Sequence, residues 1–305
     1  MTLPPSPDWI AVDWGTSNLR VWAMGAEGIL AEASSEDGMG RLGRADFEPA
    51  LIRLIEPWLA AAPVPVPVVA CGMVGSRQGW HEAPYRCVPC APLDPAAMVQ
   101  VPTTDGRIRV SIAPGLKQMK PADVMRGEET QIAGALALWP GFDGILCLPG
   151  THTKWAHVSA GEVVSFQTFM TGELFALLSE QSVLRHGLQG AGWDDAAFDT
   201  GLSDALSRPE RIAARLFSLR AEGLIAGLAA PQARARLSGL LIGIELAAAR
   251  PYWLGQPVAL IGSEGLSRSY ARALAAQGAE ARILPGTACT LAGLASLFRQ
   301  HEMTR

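Results

Sequence analysis

Ile10 to Met24 reads IAVDWGTSNLRVWAM, and Ile145 to Ser159 reads ILCLPGTHTKWAHVS. Each stretch opens with an apolar run that has the length and composition of a buried strand. Each then reaches Gly-Thr at the same offset, Gly15-Thr16 and Gly150-Thr151, and continues into a second strand with a bulky apolar pattern. A small turn follows, Ala26-Glu27-Gly28 in one copy and Ala160-Gly161-Glu162 in the other. A third strand comes next, around 29–33 and 163–169. The unit of strand, tight polar turn, strand, turn, strand therefore occurs twice. Two copies predict two domains of like topology, residues 1–143 and 144–305.

Outward from these units the pattern alternates helix and strand. In the first half it predicts a helix over 46–61 with Asp46 as N-cap, interrupted at Pro57, and strands over 66–71 and 107–113. In the second half it predicts helices over 172–185, 210–228 and 237–249 and a short strand over 258–261. A helix, strand and helix over 264–277, 281–284 and 290–299 close the chain. This is mixed α/β with meander openings, not a doubly wound parallel sheet. The 305 residues are 49% hydrophobic and 18% charged, enough for two buried cores.

The same composition excludes several classes. Net charge is −4 with no basic run, so nucleic acid is not an expected partner. MTLPPSPD has no basic segment leading into an apolar one, so no cleavable leader is expected. The longest greasy stretch, 221–250, is broken by Pro231, Arg234 and Arg236, so no membrane span is expected. A cytoplasmic protein follows. Five cysteines, an odd number, imply no disulfide framework. Cys87 and Cys90 form a lone C-x-x-C with too few neighbouring ligands for structural zinc.

Chemistry concentrates in the two turns. In Asp13-Trp14-Gly15-Thr16-Ser17-Asn18, glycine lets the backbone approach a ligand, and turn amides with the Thr16 and Ser17 hydroxyls can donate to phosphate oxygens. A carboxylate beside such a turn suits phosphate accompanied by Mg²⁺, which takes one or two carboxylates and keeps several waters; Asp13 fits that role, through water. An ordinary hairpin turn uses the same residue types. The second turn, Pro149-Gly150-Thr151-His152-Thr153-Lys154, adds another glycine, two hydroxyls and one of the chain's three lysines. Two such turns, one per domain, suit a polyphosphate held in an interdomain cleft, with Lys154 either at a terminal phosphate or solvated on a strand edge. Between the copies lies Asp123-Val124-Met125-Arg126-Gly127-Glu128-Glu129-Thr130-Gln131. Acidic residues here read either as favourable charge in a first helical turn or as a carboxylate placed to accept the proton of an attacking hydroxyl.

Three other patterns carry less. Gly38-Met39-Gly40-Arg41-Leu42-Gly43 satisfies G-x-G-x-x-G but follows a meander instead of the first strand of a βαβ unit. No G-x-x-x-x-G-K-[ST] loop is present. Ser263 in Ile261-Gly262-Ser263-Glu264-Gly265 lacks the first glycine of a nucleophile elbow.

With these residues in view, the chain resembles the acetate and sugar kinase/heat-shock/actin superfamily, and within it the 2-dehydro-3-deoxygalactonokinase family. The segments that carry the resemblance are IAVDWGTSNLRVW, CGMVGSRQGWHEAPY, DVMRGEETQIAGAL, LPGTHTKW, FMTGELFALLS and LIGSEGLSRSYARAL, spread from Ile10 to about Leu274. The resemblance implies two similar actin-like, ribonuclease H-like domains with a cleft between them. It implies transfer of phosphoryl from ATP, with Mg²⁺, to the C6 hydroxyl of a 2-keto-3-deoxy sugar acid in galactonate catabolism.

Residue by residue, it places phosphate binding at Gly15, Thr16, Ser17, Asn18, Gly150, Thr151 and Lys154, and adenosine binding at Gly262, Ser263 and Glu264. It places the catalytic carboxylate at Glu128, after Gly127, where many relatives have Asp; Glu129 and Asp123 are alternatives. An anionic substrate calls for arginine, with Arg77 first and Arg126 second, and Met39, Gly40, Trp80 and Glu173 as further pocket residues. The alternatives are another sugar or sugar-acid kinase of the superfamily and a non-transferring ATPase switch. The sequence leaves the oligomeric state open, a homodimer being one option.

Overall fold

The structure, a computed structural model, describes residues 6–59 and 64–303. The end of the helix expected over 46–61 lies outside them. By compactness the chain divides into two units. One comprises residues 1–142, 159–165 and 286–305; the other comprises 143–158 and 166–285. The second thus begins at Asp143. Gly286–Arg305, expected in the second domain, groups with the first unit.

The first unit opens with β1 (Trp9–Trp14), β2 (Leu19–Gly25) and β3 (Gly28–Ser35), followed by α1 (Phe47–Leu59) and β4 (Val66–Gly72). Then come β5 (Tyr85–Cys87), β6 (Val99–Val101), β7 (Ile108–Ile112), β8 (Gly115–Met119), β9 (Ala122–Met125) and α2 (Glu128–Leu138). Its main sheet has the order β3-β2-β1-β4-β7-β6, while β5-β8-β9 form a small separate sheet. β1 pairs antiparallel with β2 and parallel with β4. Pro57 sits inside α1, which continues to Leu59 without the break expected there.

Strand alternation sorts the core. Ile10, Val12 and Trp14 face α1 through Phe47, Leu51 and Ile55. Trp9 and Ala11 face the other way, into a cluster with Val69, Cys71, Leu294 and Leu297. The last two belong to the C-terminal helix introduced below.

The second unit repeats the plan. β10 (Gly144–Leu148), β11 (Thr153–Ser159) and β12 (Glu162–Phe169) precede α3 (Thr171–Glu180), α4 (Asp195–Ser207), α5 (Ile212–Ile225), α6 (Ala230–Ala248) and α7 (Arg250–Trp253). β13 (Val258–Gly262), α8 (Glu264–Ala275) and β14 (Ala281–Pro285) follow, and α9 (Gly286–Met303) ends the chain. The sheet order is β12-β11-β10-β13-β14, the same antiparallel meander with parallel strands added beyond its first strand. These duplicated sheets bear out the two-domain actin-like reading.

The helix expected over 237–249 starts earlier, at Ala230, because Pro231 falls in the first turn, where proline is tolerated. α4, which the sequence reading does not assign, packs on α6 through glycines. A Cβ on Gly201 would lie 2.3 Å from the Arg236 carbonyl, and one on Gly239 would lie 2.1 Å from that of Phe198. Among the described residues no helix is long and apolar enough to cross a membrane.

Candidate functional site

The hairpin register places the first turn. Asp13 faces Arg20 and Trp14 faces Leu19 across β1 and β2, so residues 15–18 form the whole connection. Gly15 N–H donates to the Asn18 carbonyl at 2.9 Å, leaving the Thr16, Ser17 and Asn18 side chains exposed. The Gly38–Gly43 segment straps this turn. Met39 N–H donates to Gly15 O at 3.0 Å and Gly40 N–H to Thr16 O at 2.9 Å. A Cβ on Gly38 would sit 2.2 Å from the Ser17 carbonyl carbon. The G-x-G-x-x-G pattern is thus explained by backbone packed on backbone, and Met39 and Gly40 join the first turn as a group.

Asp13 is largely buried and forms an ion pair with Arg20. Burial pushes its carboxyl up from the ordinary value; Arg20 pulls it down and the nearby Glu128 charge adds to the rise. Arg20, which the sequence reading does not single out, also lies 3.4 Å from the Thr287 hydroxyl of α9.

The start of α2 comes to this site through two glycines. Gly127 has φ +107° and Gly72 has φ +93°, the left-handed region that favours glycine. A Cβ on Gly127 would lie 3.3 Å from the Gly72 Cα, and one on Gly72 would lie 2.6 Å from the Trp14 carbonyl oxygen. Glu128 is half-buried at the first helical position, and its carboxylate accepts the Arg126 N–H at 3.0 Å. Glu129 is fully buried; it accepts the Gly127 N–H at 2.7 Å and the Thr130 hydroxyl at 3.1 Å. Burial first, and Glu128 second, push its carboxyl up to about 8. Asp123 is on β9, where its carboxylate accepts from the Val124 N–H.

The anion-binding candidates separate clearly. Arg77 is exposed. Arg126 is 92% buried by its 8% exposure; Nη2 donates to the Ala83 carbonyl at 2.7 Å and the guanidinium lies 4.2 Å from the Tyr85 ring centre. Its Nη1 is buried without a hydrogen-bond partner, as is the Ser76 hydroxyl. A Cβ on Gly75 would lie 2.8 Å from that Nη1. Trp80 is packed in the core against Phe47 and edge-on to Trp14. It buttresses the strand that ends in the first turn.

In the second unit, Leu148 faces Lys154 across β10 and β11. The turn is clipped to the start of α3: Glu173 N–H donates to Thr151 O at 3.0 Å, and His152 Nε2 lies 2.5 Å from Glu173 Oε2. Gly172 permits this, since a Cβ there would lie 2.3 Å from the Gly150 carbonyl. Glu173, read as a pocket residue alongside Met39 and Trp80, belongs to this turn. Lys154 is buried, its Nζ 3.4 Å from the His152 carbonyl, so the solvated strand-edge reading fails.

A cavity of about 970 Å³ adjoins the turn, with Gly150, Thr151 and Thr171 in its lining. That volume is in the range of small-molecule sites. Gly262, Ser263 and Glu264 stand just before the wall; the lining begins one residue later, at Gly265. Phe175, Trp193, Phe198, Arg234 and Ser238 complete much of it. None of these has a spacing signature in the sequence, because they come from α3, α4, α6 and a loop that meet only in the fold. Among the described residues, no group of three or more His, Cys, Asp or Glu is arranged to hold a metal by itself.

The profile of the 2-keto-3-deoxy-galactonokinase family matches residues 13–297. A protein of Rhizobium meliloti (strain 1021) named a probable 2-dehydro-3-deoxygalactonokinase is 40% identical over 301 residues, covering 95% of this chain and 96% of its own. The 2-dehydro-3-deoxygalactonokinase of Escherichia coli (strain K12) is 35% identical over 292 residues, covering 95% and 97%. The crystal structure of a Sinorhizobium meliloti protein, a 2-dehydro-3-deoxygalactonokinase candidate by its name, superposes with a TM-score of 0.88 at 38% identity, covering 96% and 98%.

Proposed function

The chain belongs to the 2-keto-3-deoxy-galactonokinase family, and we propose that its residues divide the work of one phosphoryl transfer as follows. The reaction moves the γ-phosphoryl group of ATP to the C6 hydroxyl of 2-dehydro-3-deoxy-D-galactonate, giving 2-dehydro-3-deoxy-6-phosphogalactonate in galactonate catabolism. The observation that carries this reading is the family match over residues 13–297, which takes in both Gly-Thr turns and the starts of α2 and α8.

The turn amides and hydroxyls of Gly15, Thr16, Ser17 and Asn18, and those of Gly150 and Thr151, donate to phosphate oxygens, with Lys154 supplying positive charge. The cavity beside Thr151 takes the adenosine, with α8 after Gly262-Ser263-Glu264 as one wall. Asp13, held by Arg20, fits Mg²⁺ bound through water: one carboxylate with no protein cage around it is the donor set this ion uses alongside phosphates. When bound, the ion neutralises charge on the phosphate oxygens. Arg126 and Ser76 supply the substrate-carboxylate site, because a buried guanidinium N–H and a buried hydroxyl without partners are costly unless a ligand or water satisfies them. Arg77, exposed, is the lesser contributor.

Glu128 accepts the hydroxyl proton as the bond from O6 to phosphorus forms and the bond from phosphorus to the bridging oxygen of ADP breaks. Its half-exposed place favours it over the enclosed Glu129. A cytoplasmic setting, where ATP is available, is part of the proposal.

ADP release measured with a panel of sugar acids, with mass detection of the product, tests the reading. ADP formation that depends on 2-dehydro-3-deoxygalactonate and a product heavier by one phosphate are expected. ADP release indifferent to every sugar acid would instead make the protein an ATPase switch.

A further inference from the structure

Glu245, on α6, is 2% exposed and takes no part in the chemistry assigned above. Donors from three other elements converge on its carboxylate. Trp155 Nε1 donates to Oε1 at 2.8 Å, the Tyr270 hydroxyl donates to Oε2 at 2.8 Å, and the Thr171 hydroxyl makes a short hydrogen bond to the same oxygen. Thr153 Oγ1 lies 3.0 Å from the Tyr270 hydroxyl. Since Tyr270 gives its proton to Glu245, Thr153 is the donor in that contact. The residues reached in this way form two sets. Thr153 and Trp155 flank Lys154 where the second turn enters β11. Thr171 and Tyr270 line the 970 Å³ cavity.

A carboxylate taken out of water is costly, and a well-packed apolar residue in its place is often neutral or stabilising. Such a group therefore contributes geometry more than stability: fully satisfied, it fixes several elements in one arrangement. We propose that Glu245 is a positioning residue for the nucleotide, holding the second Gly-Thr turn at a fixed spacing from the cavity wall. The inference rests on the reading of that turn and cavity as the ATP site. It adds that their spacing is set from beneath, by one side chain that never touches the ligand.

The test is steady-state kinetics in both substrates on Glu245→Leu and Glu245→Gln, with Ser238→Trp as a separate arm. Leucine leaves Trp155, Thr171 and Tyr270 without their acceptor. KM for ATP is expected to rise about tenfold or more, with KM for the sugar acid unchanged and kcat at saturating ATP within about threefold. Glutamine can accept from Trp155 through its oxygen and donate to either hydroxyl through its nitrogen, so Glu245→Gln is expected to restore the ATP KM. A purely structural role would move both KM values and enzyme yield together.

Where Glu245→Leu does not fold, Tyr270→Phe, which removes one of the three donors to Glu245 and with it the contact to Thr153, carries the same expectation at smaller size. Ser238→Trp sets an indole into the cavity. If it leaves the ATP KM unchanged, the cavity reading and this inference both fall. If it raises the ATP KM while Glu245→Leu and Tyr270→Phe do not, only the positioning role of Glu245 is overturned.

Discussion

Asp13 follows Trp9 and Ala11 in the alternation of β1, so it points to the face covered by α9. That the first turn matters is legible from Asp-x-Gly-Thr alone. That Arg20 is the partner of Asp13 is not, because it depends on the four-residue turn that brings the two opposite each other. Exchange of Asp13 for Asn removes the charge and keeps the shape. The magnesium concentration for half-maximal rate is expected to rise about 10–100-fold, as for residues that hold an ion through its waters; an unchanged magnesium titration would remove Asp13 from that role. Glu128→Gln is expected to slow transfer by about 10²–10⁴-fold while ATP affinity, read by calorimetry, stays put. Normal turnover would move the base elsewhere. Glu129 makes a different prediction. Its carboxyl, raised by burial to about 8 from an ordinary 4.5, favours the neutral acid in the folded protein. The stability this contributes is fully present below about pH 4.5 and is lost as pH rises through about 8. The urea midpoint should therefore fall between pH 5 and pH 8, and fall less in Glu129→Gln, which keeps an acceptor for the Gly127 N–H and offers an amide N–H to the Thr130 hydroxyl. Equal pH slopes in the two proteins would mean that Glu129 titrates normally.

At the scale of elements, the strands and turns were more readable than the contacts that join them. β1, β4 and β10 announce themselves by apolar runs. α4 does not, since Gly201 lowers its helical signal and is there because α6 passes within touching distance. The three-stranded β5-β8-β9 sheet is likewise silent, its strands being three to five residues long with no sustained alternation. The Gly38–Gly43 strap is the instructive element. Its pattern belongs to dinucleotide sites, yet here glycine serves the approach of one backbone to another. Gly38→Ala would drive a methyl into the Ser17 backbone, where only movement of the turn relieves the overlap. A loss of about 1–3 kcal/mol and a marked rise in KM for ATP are expected together, read from urea melts and kinetics. A variant with wild-type kinetics would show that the strap does not shape the turn.

Over the whole molecule, the duplication was legible because two copies of a turn in one chain are hard to produce by chance, and the family match runs through both. The placement of α9 was not. A helix following β14 reads as the last layer of the second domain. The side chains decide otherwise: Leu294 and Leu297 are fully buried with Trp9, Ala11 and Cys71, and Phe298 stacks on Trp9 with ring centres 4.6 Å apart. α9 also meets α2 closely, a Cβ on Gly134 falling 1.7 Å from the Cys289 carbonyl and one on Gly293 falling 2.0 Å from that of Thr130. The chain end therefore completes the core beneath Asp13 and behind Glu129. Leu294→Ala removes a fully buried side chain from that core and is expected to cost about 2–5 kcal/mol. Hydrogen exchange localises the effect. Amides of β1, β4 and α2 should exchange faster, because those are the elements Leu294 helps to hold, while β10, β13 and α8 should change little. Faster exchange confined to β13 and α8 would return α9 to the second domain.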